Sequence, residues 1–367
     1  MPSVIILEKS LSMPVDLTTY HCKPVLPHVD DDSVFVTAVH EVLLHGLGPY
    51  AFEDITNYIS KLGQITDRDI KLILSNVCEY EFDHKHVHQL DYFLVKTFIK
   101  IIENSHPINP SWNHSADKTL FLMGKAEKAH RFGLLARLYE HRLLDRLEWS
   151  FYTNQGITER CRKMLPHYSD YNFKKFLNIC VRDLDPIKTQ MQYSTSHYGG
   201  FPYDVALYEN TCLSIISETE FHRIPAGYEW ITEKTWRAIA NRHPFVMASS
   251  PGTLDKLKSF GFRTFENYMV ESKYDQIVHE DERLEAIVNN VEYFMNTRHN
   301  HIDSIANDVE HNFQLFNQLA RSEIAKLQSF INKDIYTEKD TIEMIRQLHY
   351  EPTVRLSAEM IKLMASL

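Results

Sequence analysis

Positive charge is scarce in this chain. Its 367 residues hold 39 lysines and arginines against 49 aspartates and glutamates, a formal net charge of −10. That balance argues against a broad basic footprint for duplex nucleic acid or an anionic membrane surface, while leaving room for a local basic cleft. Paired cysteines are missing as well. Cys22, Cys78, Cys161, Cys180 and Cys212 show no paired spacing and read as reduced core thiols of a cytoplasmic protein. No run is long and apolar enough to span a membrane. The opening MPSVIILEKSLSMP has neither the basic start nor the small-residue cleavage site of a signal peptide. There is no internal repeat and no low-complexity segment. What remains is an ordinary globular composition, 44% hydrophobic and 24% charged, with length enough for two domains with real cores.

The most informative stretch is Ser217–Phe265. The apolar run Cys212 to Ile216 has strand character and leads into Glu218-Thr219-Glu220. A loop follows, and a helix opens at Ile231-Thr232-Glu233-Lys234. Asn241-Arg242-His243-Pro244 ends it, because proline cannot continue a helix. Phe245-Val246-Met247-Ala248 is a short buried strand, Ser250-Pro251-Gly252-Thr253 a turn, and Leu254–Phe260 a second helix stopped by Gly261. Strand, helix, strand, helix in this order is a parallel βαβα unit. Thr232 suits an N-cap, which puts Glu233 and Lys234 in the first turn beside free backbone N–H groups. A carboxylate there can accept both hydroxyls of a ribose. A lysine there can neutralise a diphosphate that the helix N-terminus already favours. The same three residues also read as a plain helix start with a solvated Glu-Lys pair.

In chain order, residues 1–103 read as a first α/β domain. Its strands are expected at Val4–Leu7, from Ser33 onward and at Ile70–Val77, with helices at Tyr50–Leu62 and Leu90–Ile102. A parallel strand ending at Val77 delivers Glu79 and Glu81 to a cleft, where either carboxylate suits a general base; both also read as solvated loop acids. His84, His86 and His88 alternate on an extended segment as metal ligands can, or form a surface cluster in a chain with 20 histidines. Residues 104–118, with two prolines and several Asn and Ser, read as a linker. The second domain, 119–335, opens with a strand at Leu120–Met123, a turn at Gly124, and the basic residues Lys125, Lys128, His130 and Arg131 leading into a helix at Ala129–His141. A strand, a glycine and a basic helix start form a phosphate-binding geometry, or simply a solvated basic turn. No GxGxxG accompanies it. Amphipathic helices are expected over Asp281–Asn296 and Ile302–Ile331, followed by a helical tail at 336–367.

The ordered set Ser217-Glu218-Thr219, Thr232-Glu233-Lys234, Pro244-Phe245, Pro251-Gly252-Thr253 and Gly261-Phe262 resembles the donor-binding half of GT-B glycosyltransferases. It is most similar to the fucosyltransferase-like and exostosin-like sequences of phages and large viruses, over roughly residues 117–300. The resemblance implies an α/β fold of two Rossmann-like domains facing a cleft, with C-terminal helices and the acceptor received by the first domain. It implies a cytoplasmic enzyme, in the host cytoplasm if the chain is phage or viral. Glu233 would hold the nucleotide ribose, Lys234 a phosphate, and Arg131 with Lys125 the diphosphate leaving group, although arginine is more usual at the Lys125 position. Glu218 and Glu220 would take donor-sugar hydroxyls, and Glu79 or Glu81 would activate the acceptor. The co-substrate would be a UDP- or GDP-sugar, with no obligatory cofactor or metal, because cations of the protein carry the leaving-group charge. Asp183-Leu184-Asp185 matches the metal-binding Asp-x-Asp of the other large transferase fold, but Pro186 follows at once and loop acids fit better. The acceptor reads as a glycan or, alternatively, a hydroxymethylated base of phage DNA. A non-catalytic scaffold on a transferase fold is the remaining alternative. Oligomeric state is left open by the sequence.

Overall fold

The structure is a computed structural model that describes residues 5–8, 21–24, 35–39, 70–75, 87–103, 111–125, 129–152, 205–222, 231–331 and 337–347. The expected helix at Tyr50–Leu62 and the part of the expected helical tail beyond Gln347 lie outside the described residues, as do Glu79, Glu81, His84, His86, Asp183 and Asp185. The chain divides into two compact units, one of residues 1–100 with 319–367 and one of residues 101–318. It is a mixed α/β protein, and the second unit is built on a four-stranded parallel sheet.

The first unit holds strands β1 (Ile5–Glu8), β2 (His21–Pro24), β3 (Phe35–Val39), β4 (Ile70–Ser75) and β5 (Val87–Leu90) in the order β2-β1-β3-β4-β5. The β1/β2 pair is antiparallel and the other pairs are parallel. Helix α1 (Tyr92–Glu103) begins directly after β5, with Asp91 Oδ1 accepting from Leu94 N at 3.0 Å. Burial pushes the Asp91 carboxyl up to about 7, and the backbone donor only partly offsets that.

In the second unit β6 (Thr119–Lys125), β7 (Leu147–Tyr152), β8 (Leu213–Ser217) and β9 (Phe245–Ala248) lie in the order β7-β6-β8-β9, every pair parallel. β8 and β9 are buried at every position, as the continuous apolar runs of a strand covered on both faces require. From β6 the chain moves to one side for β7 and to the other for β8 and β9. The direction therefore reverses between β6 and β8, the kind of switch point outside whose strand carboxyl ends open α/β sheets bind ligands.

Helix α2 (Ala129–Glu140) follows β6, and the short α3 (Val205–Glu209) precedes β8. α4 (Glu233–Ala240) connects β8 to β9, and α5 (Thr253–Ser259) follows β9. α6 (Glu280–Thr297), α7 (Ile302–Ile331) and α8 (Glu338–Gln347) complete the described chain. α6 buries the expected stripe of Leu284, Ile287, Val288, Val291 and Phe294. It packs on α2, whose Leu134, Leu135 and Leu138 are fully buried. Gly133 permits the close approach, since a β-carbon there would lie 2.9 Å from Leu284 Cδ1. Arg137 of α2 pairs with Asp281 and Glu285 of α6 at 3.1 and 3.2 Å. On α7, Ile305, Val309, Phe316, Ile324 and Leu327 are buried as the period predicts, while Phe313 and Phe330 are half-buried. Each of those two rings carries a polar partner: the Arg242 guanidinium lies 3.6 Å from the Phe313 centroid, and His88 stacks on Phe330 at 5.2 Å.

One local detail differs from the sequence reading. Residues 111–118, which composition marks as linker, are pinned within the second unit. Trp112 Nε1 donates to Cys212 O at 2.8 Å, and Arg298 donates to the carbonyls of His114 and Ala116. α4 ends before its proline through a left-handed turn at Arg242 (φ 52°), with His243 N bonded to Ala238 O at 3.0 Å and Arg242 N to Ile239 O at 3.0 Å.

That turn delivers His243 into the core, where Ser214 Oγ donates to Nδ1 at 2.7 Å and Nε2–H donates to Thr211 O at 2.8 Å. Burial holds its pKa down at about 4, against an ordinary 6.5. Between those values the unfolded chain binds a proton that the folded chain refuses, so stability is full above pH 6.5 and is lost as pH falls toward 4. The loss amounts to roughly 3 kcal/mol at most. The fall in Tm between pH 7 and 4.5 is expected to be steeper in the wild type than in His243→Gln, measured by thermal unfolding. Equal slopes refute the assignment.

Candidate functional site at the carboxyl end of strand β8

Glu218, the first residue after β8, is fully buried. Its Oε1 accepts from Thr232 N at 3.0 Å and from Thr235 Oγ1 at 2.6 Å, and its Oε2 accepts from Thr232 Oγ1 at 2.5 Å. One carboxylate therefore clasps the first turn of α4 to the end of β8. A negative charge at a helix N-terminus is where the backbone dipole favours it. Thr232 is the N-cap, as its sequence position predicts, with extended backbone (φ −114°, ψ −176°) and its Oγ1 accepting from Lys234 N at 3.4 Å. Glu218 was expected to face donor-sugar hydroxyls. Instead, both of its oxygens are engaged in this clasp.

The clasp fixes the direction of the next two side chains. Lys234 Nζ lies 2.9 Å from Thr232 Oγ1, 3.1 Å from Glu233 Oε1 and 3.5 Å from Thr219 Oγ1. Glu233 and Lys234 are mostly buried, at 13% and 15% side-chain exposure, so their charges act on each other with little screening. Burial works to raise the Glu233 pKa, but the Lys234 and Arg237 charges outweigh it and hold the carboxyl at about 2. Glu233 is therefore ionised at any physiological pH, an acceptor-only carboxylate beside the Lys234 side chain at the sheet edge.

A second cation arrives from the opposite helix. Arg131, in the first turn of α2, is buried and donates Nη2 to the carbonyls of Ser217 and Glu218 at 3.4 and 3.3 Å. His130 donates Nε2–H to the same Glu218 carbonyl at 3.1 Å. Its ring stacks on Phe221 at 4.9 Å and 12°, and the Arg283 guanidinium of α6 lies 3.8 Å from the Phe221 centroid. Arg283 also donates to Phe221 O and Ile277 O. Phe221 is thus held between an imidazole and a guanidinium, which keeps the segment after β8 against the start of α2.

The structure therefore brings Arg131, Glu218, Thr232, Glu233 and Lys234 together around Ser217–Thr219. Glu220 directly follows Thr219 and is half-buried. Lys125 is the last residue of β6, the strand beside β8. His88 sits on β5 in the first unit, and burial lowers its pKa. Among the described residues no group of three or more His, Cys, Asp or Glu is arranged to hold a metal ion, and no helix is long and apolar enough to cross a membrane. His130, Phe221 and Arg283 escape sequence reasoning. In DERLEAIV Arg283 looks like one more surface charge of an amphipathic helix, and nothing local announces that it is 1% exposed.

If Glu218 is the clasp, Glu218→Gln forces an amide N–H₂ against hydroxyl or backbone donors. It is expected to cost about 1–3 kcal/mol of stability, read as a drop in Tm of several degrees. Thr235→Val, which removes a single donor, is expected to cost about 1 kcal/mol. A Glu218→Gln protein as stable as wild type contradicts the clasp.

Comparison with protein-family models, with curated proteins and with solved structures finds no match for this chain.

Proposed function

We propose that the chain is a metal-independent glycosyltransferase of the GT-B kind, in which two Rossmann-like domains face a cleft and the second binds a nucleotide-sugar donor, UDP- or GDP-linked. One observation carries this reading. A buried arginine and a mostly buried lysine from different helices, Arg131 and Lys234, converge on Ser217–Thr219, with an ionised Glu233 beside Lys234. This cluster lies at the carboxyl end of β8, beside the point where strand order reverses. A diphosphate needs paired positive charge, for which Arg131 of α2 and Lys234 of α4 stand ready, and a ribose diol needs an acceptor pair, which Glu233 of α4 offers.

The chemistry follows from those charges. The acceptor hydroxyl oxygen forms a bond to the anomeric carbon as the bond from that carbon to the diphosphate oxygen breaks. The leaving diphosphate gains negative charge, which Lys234 and Arg131 oppose in a water-poor setting where each is worth more than in bulk solvent. Glu233 exchanges its contact with Lys234 for the ribose hydroxyls, freeing the ammonium for phosphate. The hydroxyl proton passes to a base of the first domain, for which Glu79 and Glu81, beyond β4, are the sequence's proposals. The acceptor is a glycan, and the enzyme works in the cytoplasm.

Lys234→Ala is expected to lower turnover at least tenfold, and Glu233→Ala to weaken donor binding. Thermal-shift measurements with UDP, GDP, CMP and their sugars, with and without EDTA, identify the donor: stabilisation by one nucleoside diphosphate that persists in EDTA is expected. Turnover is then assayed on glycans and, as the competing acceptor, hydroxymethylated DNA. Normal turnover in both variants places the site elsewhere.

A further inference from the structure

Helix α5 is held at both ends by two acids that lie four residues apart. Before the helix, the Asp275 carbonyl accepts from Gly252 N at 3.0 Å and its Oδ1 accepts from Leu254 N at 3.3 Å. After the helix, Glu271 Oε1 accepts from Phe265 N at 2.6 Å. Asp275 N bonds to Glu271 O at 2.9 Å, so the two acids move as one short turn. That turn is anchored on α6, where Asn290 Oδ1 accepts from Val270 N at 2.7 Å. Glycines in the left-handed region bracket α5, Gly252 at φ 90° and Gly261 at φ 92°. Both ends of the helix therefore sit beside the residue type that turns most freely.

The two carboxyl groups are buried, Glu271 at 1% and Asp275 at 4% exposure. Each keeps one oxygen, Glu271 Oε2 and Asp275 Oδ2, with no hydrogen-bond partner among the described residues. An ionised carboxylate so placed has lost its water without full compensation, and a proton removes the charge that makes burial costly.

The groups facing the pair do little to offset this. Lys258 of α5 stands 3.8 Å from Glu271 Oε2, but its side chain is exposed. Glu266 acts against ionisation of Glu271, and Asp255 of α5 against that of Asp275. Tyr274 lies between them, and burial together with the charges of Glu271 and Asp275 holds its phenol well above the ordinary value. Arg283 of α6 feels the charges of Glu280 and Asp275 but donates to the carbonyls of Phe221 and Ile277.

We infer that Glu271 and Asp275 form a pH-sensitive clamp on α5. Protonated, the pair holds both ends of the helix; ionised, it releases them, and α5 loosens together with the turn after β9. Burial pushes Glu271 up to about 7 from 4.5 and Asp275 up to about 6 from 3.8, with the Thr264, Phe265 and Leu254 donors only partly opposing it. Both folded values lie above the unfolded ones. The clamp therefore contributes fully below the unfolded values and is lost as pH rises through 6 and 7, the opposite sign to His243. The turn it releases follows Ala248, which pairs with Ser217 and accepts from Glu218 N at 2.9 Å. The switch thus acts beside the β8 edge, whatever ligand that edge takes.

Hydrogen exchange of the full chain, followed by NMR and corrected for the intrinsic pH dependence of amide exchange, tests this between pH 5.5 and 8. The proteins are wild type, Glu271→Gln and the double variant Glu271→Gln, Asp275→Asn. In wild type the protection of the Gly252, Leu254 and Phe265 amides is expected to fall at least tenfold across that range. It is expected to stay below the protection of the β8 amides, because α5 opens without the sheet. Glu271→Gln removes most of the pH dependence and the double variant all of it. Wild-type protection at these amides that does not change with pH overturns the inference, whether or not the variants fold. A double variant with the wild-type slope overturns it too, because another group then titrates. Equal protection of the α5 and β8 amides also overturns it, because α5 then opens only with the whole sheet.

Discussion

A single buried carboxylate organises the second unit. Glu218 leaves β8 at the point where the sheet ends and is met by the first turn of α4. A carboxyl group without water is tolerated only where donors surround it, and Thr232 N, Thr232 Oγ1 and Thr235 Oγ1 supply them. The helix gains a capped N-terminus, and the strand gains a fixed continuation. Because Glu218 takes those donors, Thr232 Oγ1 is left to accept from Lys234. The position of the cation is a consequence of the clasp.

The other side of the edge is held by different forces. α2 brings Arg131 and His130 to the carbonyls of Ser217 and Glu218, and Phe221 is gripped between the His130 ring and the Arg283 guanidinium. Arg283 is nearly inaccessible to solvent, its contacts being carbonyl oxygens and a ring face. A guanidinium tolerates this better than an ammonium, since it is flat, delocalised and weakly hydrated. The α2–α6 contact carries the Arg137 pairs with Asp281 and Glu285. α6 therefore supports the site without itself belonging to the cation pair. Its first turn fixes Phe221, and its apolar stripe carries α2.

Farther from the edge, the core is pinned by neutral polar contacts. His243 joins the turn after α4 to the segment leading into β8 through Ser214 and Thr211, and Trp112 ties 111–118 to Cys212. Both join segments far apart in sequence near the amino ends of the strands. The Arg131, Glu233 and Lys234 side chains stand instead at the carboxyl end of β8.

Much was legible in the sequence because it is written in local pattern. β9 and α7 lie where their apolar runs and period place them, and Thr232 caps α4 because a threonine before Glu-Lys has the chemistry for it. Thr232, Glu233 and Lys234 could be singled out because a helix start brings neighbours in sequence into one turn. What the chain could not reveal is what arrives from elsewhere. Glu218 reads as a contact for donor-sugar hydroxyls until Thr235, 17 residues on, is folded onto it. Arg283 reads as a surface charge until Phe221, 62 residues earlier, is brought beneath it. The linker composition of 111–118 hides a tryptophan whose partner is 100 residues away. Sequence determines period, caps and turns, because these depend on residues within a few positions. Only the tertiary structure decides which charges are buried and which are shared, because burial depends on what packs against them.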